Sequence, residues 1–270
     1  MQKYPLSAEI LEKQESEVLN KFREEFGKNK NGFCDNCYNT LDLIIQGIHY
    51  YKDDDQYDEN GDFKNFNQAI RFMAYIHYLR ISYSIKAIYN CFSKGYYSDA
   101  ASLLRTLLET YVRLRYVYNS ENTELVHKAV AGHIGWNGER FRVRYSDQFE
   151  DLAEGSYKEY QLLCDFAHGA MTPNTLKWEI KNGKIYTDKG IVYKEQGAGF
   201  VGNFFTVCLA GNLRFLFKVF PEIKSNAPQE YLDNLNDTNE FWDACFEGLK
   251  NGESQEWFEV MEPLTEVTTA

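Results

Sequence analysis

From Phe66 to Lys94 the apolar residues Ile70, Met73, Ile76, Tyr83, Ala87, Ile88 and Cys91 recur at helical spacing, and Gly95 closes the run. That period lines one side of a long α-helix. A helix with such a stripe must bury it against other elements, and the surrounding elements are also helical. The spacing predicts helices over Ser7–Phe26, Cys37–Tyr51, Ser98–Tyr118, Thr123–Tyr145, Ser156–His168, Gly199–Phe220 and Pro228–Leu249. Gly27, Gly169 and Pro221 provide the stops. Ser98 or Asp99 is the expected cap of its helix, and Ser156 with Glu159 has the spacing of a capping box. Gly132, Gly135 and Gly138 weaken the helix over 123–145.

The clear β signal is Leu176–Lys181 and Lys184–Thr187 around Asn182-Gly183, a strong hairpin dipeptide. Ile191–Lys194 is a candidate third strand. The fold expected is mainly α: a multi-helix bundle with a small β-hairpin insertion. Residues 1–270 read as a single helical domain, its core bundle about 66–171 plus 198–249 and its insertion about 176–194. Trp257 and Phe258 are placed to dock the tail, and 265–270 is expected to fray.

Composition narrows the function. The chain has 270 residues and a formal net charge of −11, so no field of the whole molecule attracts nucleic acid. Any such partner needs a local basic patch. No run approaches the roughly 20 consecutive apolar residues of a membrane span, and Met1–Ser7 lacks a signal-peptide core. No membrane role is expected; the setting expected is cytoplasmic, with the six cysteines as thiols.

Two helices carry the candidate site. Arg105 and Glu109 stand one turn apart between Leu104, Leu107 and Leu108, and His168 closes a later helix in line with Tyr160 and Cys164. A helix C-terminus favours a protonated imidazole, and a histidine beside a carboxylate serves general acid–base chemistry. The same three residues would equally serve as a polar triad that fixes how two helices dock. Six of the ten arginines fall between 105 and 144, namely Arg105, Arg113, Arg115, Arg140, Arg142 and Arg144, with His127 and His133 among them. Guanidinium forks suit phosphate and bases, so these are the candidate nucleotide or RNA contacts. A solvated helix face paired with Glu139, Asp147, Glu150 and Asp151 is the plainer account.

Other signals are weaker. Arg71 and His77 sit about 120° apart on one helix, which favours a buried structural histidine. The acidic loop 52–62 places Gln56 and Asn67 where a calcium loop needs acidic ligands. Cys34 and Cys37 have knuckle spacing but no second pair follows, so no metal is assigned.

The Leu-Leu-Arg105-x-x-x-Glu109 segment, together with the Tyr160-x-x-Leu163-x-x-Phe166-Ala167-His168-Gly169 helix end, resembles uncharacterised bacterial relatives of the HEPN superfamily, over roughly Phe66–Met171. The resemblance implies a helical bundle, often dimeric, in which many members are metal-independent ribonucleases of toxin–antitoxin, abortive-infection and CRISPR-associated defence. Their Arg-x4-6-His motif would place its histidine at His168 and its arginine at 161–163, where Gln161, Leu162 and Leu163 stand instead. Either Arg105 supplies the guanidinium from the neighbouring helix, or this is a non-catalytic branch. In the first case His168 is the general acid–base, Arg105 stabilises the phosphorane charge and Glu109 orients either. The partners implied are RNA or nucleotide, a second copy of the chain, and an antitoxin or other defence component; no cofactor is implied. The competing reading is a non-enzymatic protein-interaction module, and a third is a small-molecule binder with an aromatic pocket between helices.

Overall fold

In a computed structural model, residues 8–27, 32–50, 63, 65–134, 143–152, 156–167, 178–182, 184–187, 193 and 195–250 are described. They form α1 (Ala8–Phe26), α2 (Phe33–Tyr50), α3 (Phe66–Ser93), α4 (Tyr97–Ser120), α5 (Thr123–Ile134), α6 (Tyr145–Leu152), α7 (Ser156–Ala167), β1 (Trp178–Lys181), β2 (Lys184–Thr187), α8 (Glu195–Val219), α9 (Ile223–Asn226) and α10 (Gln229–Lys250). The architecture is a mainly helical bundle.

Helix α3 starts where Asn65 accepts a hydrogen bond from the Gln68 amide at 3.0 Å, which satisfies one orphan donor of the first turn. It ends at Gly95, whose φ of 84° belongs to the left-handed region. There the Tyr96 amide donates to Cys91 O at 2.8 Å and the Gly95 amide to Phe92 O at 3.1 Å. This pair of bonds is a Schellman motif, and it turns the chain straight into α4. The expected cap at Ser98 or Asp99 does not form: α4 begins at Tyr97, and its cap position, Tyr96, makes no side-chain hydrogen bond.

Helix α4 is the hub. It packs on α3, α5, α6, α7 and α8, while α8 also meets α2, α3 and α10. The stretch Gly197–Val219 is long and apolar enough to cross a membrane by length and composition, yet 83% of its most apolar window is buried inside the bundle. Polar groups lock this core as well. Tyr78 donates to Asn212 O at 2.9 Å, and the Trp242 indole donates to Thr40 Oγ1 at 2.9 Å, joining α10 to α2. Phe92 gathers Phe22, Phe26, Phe33 and Phe205 around it with ring centroids 4.9–6.4 Å away, spacings that favour edge-to-face contact.

Strands β1 and β2 pair antiparallel, Trp178 opposite Thr187 and Lys181 opposite Lys184. Asn182 takes φ 52°, as the first central residue of a two-residue primed turn must. The expected third strand lies outside the described residues except for Tyr193, which is not in a strand. The acidic loop 52–62 and the tail beyond 250 also lie outside the described residues.

Candidate functional site

Positions 105, 109 and 113 follow each other at i, i+4 and i+8, so Arg105, Glu109 and Arg113 form one stripe along α4. Helices α7 and α6 pack on that side. Helix α7 runs antiparallel to α4: its last residue, Ala167, accepts a hydrogen bond from Ser102 Oγ at 3.4 Å, while Tyr160, two turns earlier, donates to Glu109. The stripe is neither sealed nor fully open. The Arg105 and Glu109 side chains are 26% and 17% exposed, with Arg105 Nε 3.4 Å from Glu109 Oε1. At that length the pair is an ion contact rather than a well-directed hydrogen bond.

The phenols complete the network. Arg113 Nη2 donates to Tyr145 Oη at 2.6 Å, and its guanidinium lies 5.5 Å from the Tyr145 ring centroid, so the ring takes both a hydrogen bond and a cation–π contact. Tyr145 also lies within hydrogen-bonding reach of Glu109, and burial raises its phenol above the ordinary range. Tyr160 is raised further, first by burial and then by its contacts with Cys164 and the Glu109 carboxylate. The Cys164 thiol is raised by burial, although Tyr160 and Arg105 both favour its thiolate. In physical terms the seam holds two arginines whose backbone positions are about 12 Å apart along the helix, one carboxylate on the turn between them, and two neutral phenols. It carries a net positive charge on an acidic protein.

The remaining candidate residues are distributed differently. Arg115 is buried on another side of α4, with its guanidinium 3.4 Å from Tyr111 Oη; the Lys218 ammonium pKa is lowered first by burial and then by the charge of Arg115. It does not join Arg113. Arg144 is exposed beside Tyr145. His168, Arg140, Arg142 and the side chain of His133 lie outside the described residues. His127 packs its ring 5.3 Å from Phe63, on helix α5.

Arg71 and His77 do not form a pair. Arg71 meets Glu222 and lies over Phe220, and His77 Nε2 is 2.8 Å from Asn212 Oδ1. Cys34 and Cys37 both lie on α2, where burial raises both thiols, and no group of three or more metal-ligating side chains occurs among the described residues. Tyr145 was not legible as a site residue. In sequence it is only the last residue of the helix expected over 123–145, directly after an arginine-rich stretch.

Residues 71–143 match the model of a family of unknown function, DUF5677. The matched segment begins within α3 and includes all of α4 and α5, hence Arg105, Glu109 and Arg113, but not Tyr145 or α7. No curated protein and no solved structure matches the chain.

Proposed function

We propose that this chain is an HEPN-like helical protein of bacterial stress or phage defence that binds or cleaves RNA or nucleotide without metal. The observation that supports this reading is the Arg105–Glu109–Arg113 stripe, partly open at Arg105 and Glu109 and lined by two phenols. Arg105 and Arg113 are the phosphate contacts, with Arg144 at the edge. Glu109 holds Arg105 in place. His168 follows Ala167, whose carbonyl meets Ser102 one turn before Arg105. In this reading His168 is the general acid–base toward a ribose 2′-hydroxyl, and Arg105 stabilises the developing phosphorane charge. The protein works in the cytoplasm, as a homodimer or with a protein partner of antitoxin type. The β1–β2 hairpin stands as an insertion between α7 and α8.

One observation favours the runner-up. Glu109 is already met by Arg105, Tyr160 and Tyr145, so the seam is also a self-sufficient lock between α4, α6 and α7. That suits a non-enzymatic interaction module with a structural polar set.

The test is RNA cleavage by the purified protein in EDTA, wild type beside His168→Ala and Arg105→Ala. Cleavage by wild type that both substitutions abolish, with helicity intact by circular dichroism, is the expected result. A silent wild type whose variants only melt earlier selects the interaction module.

A further inference from the structure

Helices α2 and α3 each turn one stripe away from the core. On α2, Tyr38, Asp42, Ile45 and His49 follow at i, i+4, i+7 and i+11, and all four are exposed. On α3, Leu79, Tyr83, Lys86 and Asn90 repeat that spacing and are exposed as well. At about 100° per residue, each set spans only about 60° of its helix. This is the spacing of a coiled-coil seam, where such a stripe lies against another helix.

The two stripes are neighbours. Phe33 meets Phe92 and Tyr38 meets Tyr89, with ring centroids 6.2 and 4.9 Å apart, so α2 and α3 run antiparallel. Lys86 Nζ donates to Tyr38 Oη at 2.8 Å across the groove between them, which Leu41 and Ile85 also line. On that register Asp42 stands about level with Lys86, and Ile45 about level with Tyr83.

Tyr38 and Ile45 are each 38% exposed, Leu79 45% and Tyr83 80%. They are four of the seven large apolar or aromatic side chains exposed among the described residues, so this surface is gathered on one face rather than scattered. Gathered apolar surface of this kind marks interaction sites.

Charge selects the partner. Helix α2 carries Asp35 and Asp42 and no lysine or arginine, whereas α3 carries Arg71, Arg80 and Lys86 and no carboxylate. A partner of one sign meets its own sign on one of the two helices. A second copy, turned about a two-fold axis that runs along the groove, lays α2 of each copy over α3 of the other. Residues that are level stay level in that arrangement, so Asp42 of each copy faces Lys86 of the other. A two-fold axis across the helices instead sets α2 on α2, acid against acid.

We propose that the α2–α3 face binds a second copy of this chain, with the apolar stripes between the copies and the two Asp42–Lys86 pairs fixing the alignment. The proposal takes up the homodimer of the reading above and gives it a face. It uses none of Arg105, Glu109 and Arg113.

The experiment is sedimentation velocity of the full chain, beside Tyr83→Glu, Asp42→Lys, Lys86→Asp and the double reversal Asp42→Lys with Lys86→Asp. These side chains are exposed, so the variants keep the wild-type helicity by circular dichroism. The expected result is a wild type at twice the mass of one chain. Tyr83→Glu and each single reversal raise the dimer dissociation constant about tenfold or more, and the double reversal recovers most of that loss. A monomeric wild type overturns the proposal together with the homodimer above, and leaves the face to a different protein. A dimer that Tyr83→Glu and the single reversals leave unchanged overturns the proposal alone, by moving the interface elsewhere. Single reversals that dissociate without recovery in the double reversal overturn the Asp42–Lys86 alignment and the proposal with it.

Discussion

Tyr160 donates its phenolic proton to Glu109, joining the middle of α7 to the middle of α4. Tyr160 is 6% exposed and stacks on Phe149 with ring centroids 4.5 Å apart, so one residue fixes both α6 and α7 against the hub. A phenylalanine keeps the stacking and removes the hydrogen bond. Tyr160→Phe is expected to cost about 2 kcal/mol, the range for a hydrogen bond to a charged group. Urea unfolding measures it, and the cost shrinks in a Glu109→Gln background if the bond is its source.

Two glycines with opposite surroundings predict opposite signs. A Cβ at Gly47 would stand 2.7 Å from Tyr231 Oη and 3.0 Å from Leu216 Cδ2. Tyr231 is 3% exposed and is held by its hydrogen bond to Leu43 O, so it cannot withdraw. Gly47→Ala is expected to destabilise by about 1–3 kcal/mol, as overpacking does. At Gly199, on the exposed side of α8, a Cβ meets nothing within 4 Å. Gly199→Ala is expected to stabilise by about 0.5–1 kcal/mol. The two unfolding curves, measured side by side, check both signs.

Alkali should unfold the protein before its buried phenols ionise. Burial pushes the phenols of Tyr78, Tyr111 and Tyr231 up, and the hydrogen bond with Glu15 holds Tyr96 at about 12. These folded-state values lie above those of the unfolded chain, so the unfolded state loses its protons first. The associated stability is complete below about pH 10 and falls as pH rises toward the folded values. Tyrosinate absorbance and circular dichroism, followed together through that window, should show the buried phenols titrating only as helicity is lost. Glu15 has the opposite sense: the Tyr96 hydrogen bond, then that of Lys94, lowers its pKa. Its contribution is present above the ordinary carboxylate range and is lost as pH falls through the lowered value.

Much of the bundle was legible because single residues decide helix ends. Gly95 predicts the end of α3 and fulfils it through a positive φ. The run 199–220 predicts α8, which begins slightly earlier, at Glu195. The short α9 carries no periodic signal of its own, since one turn after Pro221 has no stripe to repeat. Helix α5 is described over Thr123–Ile134 and α6 over Tyr145–Leu152, with Val143 and Arg144 outside any helix, where one helix over 123–145 was expected; residues 135–142 lie outside the described residues. The seam was half legible. The i, i+4 spacing of Arg105 and Glu109 shows in sequence, and adding Arg113 takes only one more turn. The divergence of Arg115 from Arg113 follows from two residues of helix, about 200°. Which side faced the core depended on α8, whose partner could not be read from α4 alone.

The central claim is that the Arg105–Glu109–Arg113 face is for a ligand rather than for docking α6 and α7, and Arg113 separates the two most directly. The measurement is fluorescence anisotropy of a labelled single-stranded RNA with Arg113→Gln, taken beside its melting temperature. A loss of RNA affinity of about tenfold with the melting temperature nearly unchanged is the result predicted. A wild type that does not bind RNA, with Arg113→Gln melting well below it, would contradict the claim and leave the seam as a structural lock.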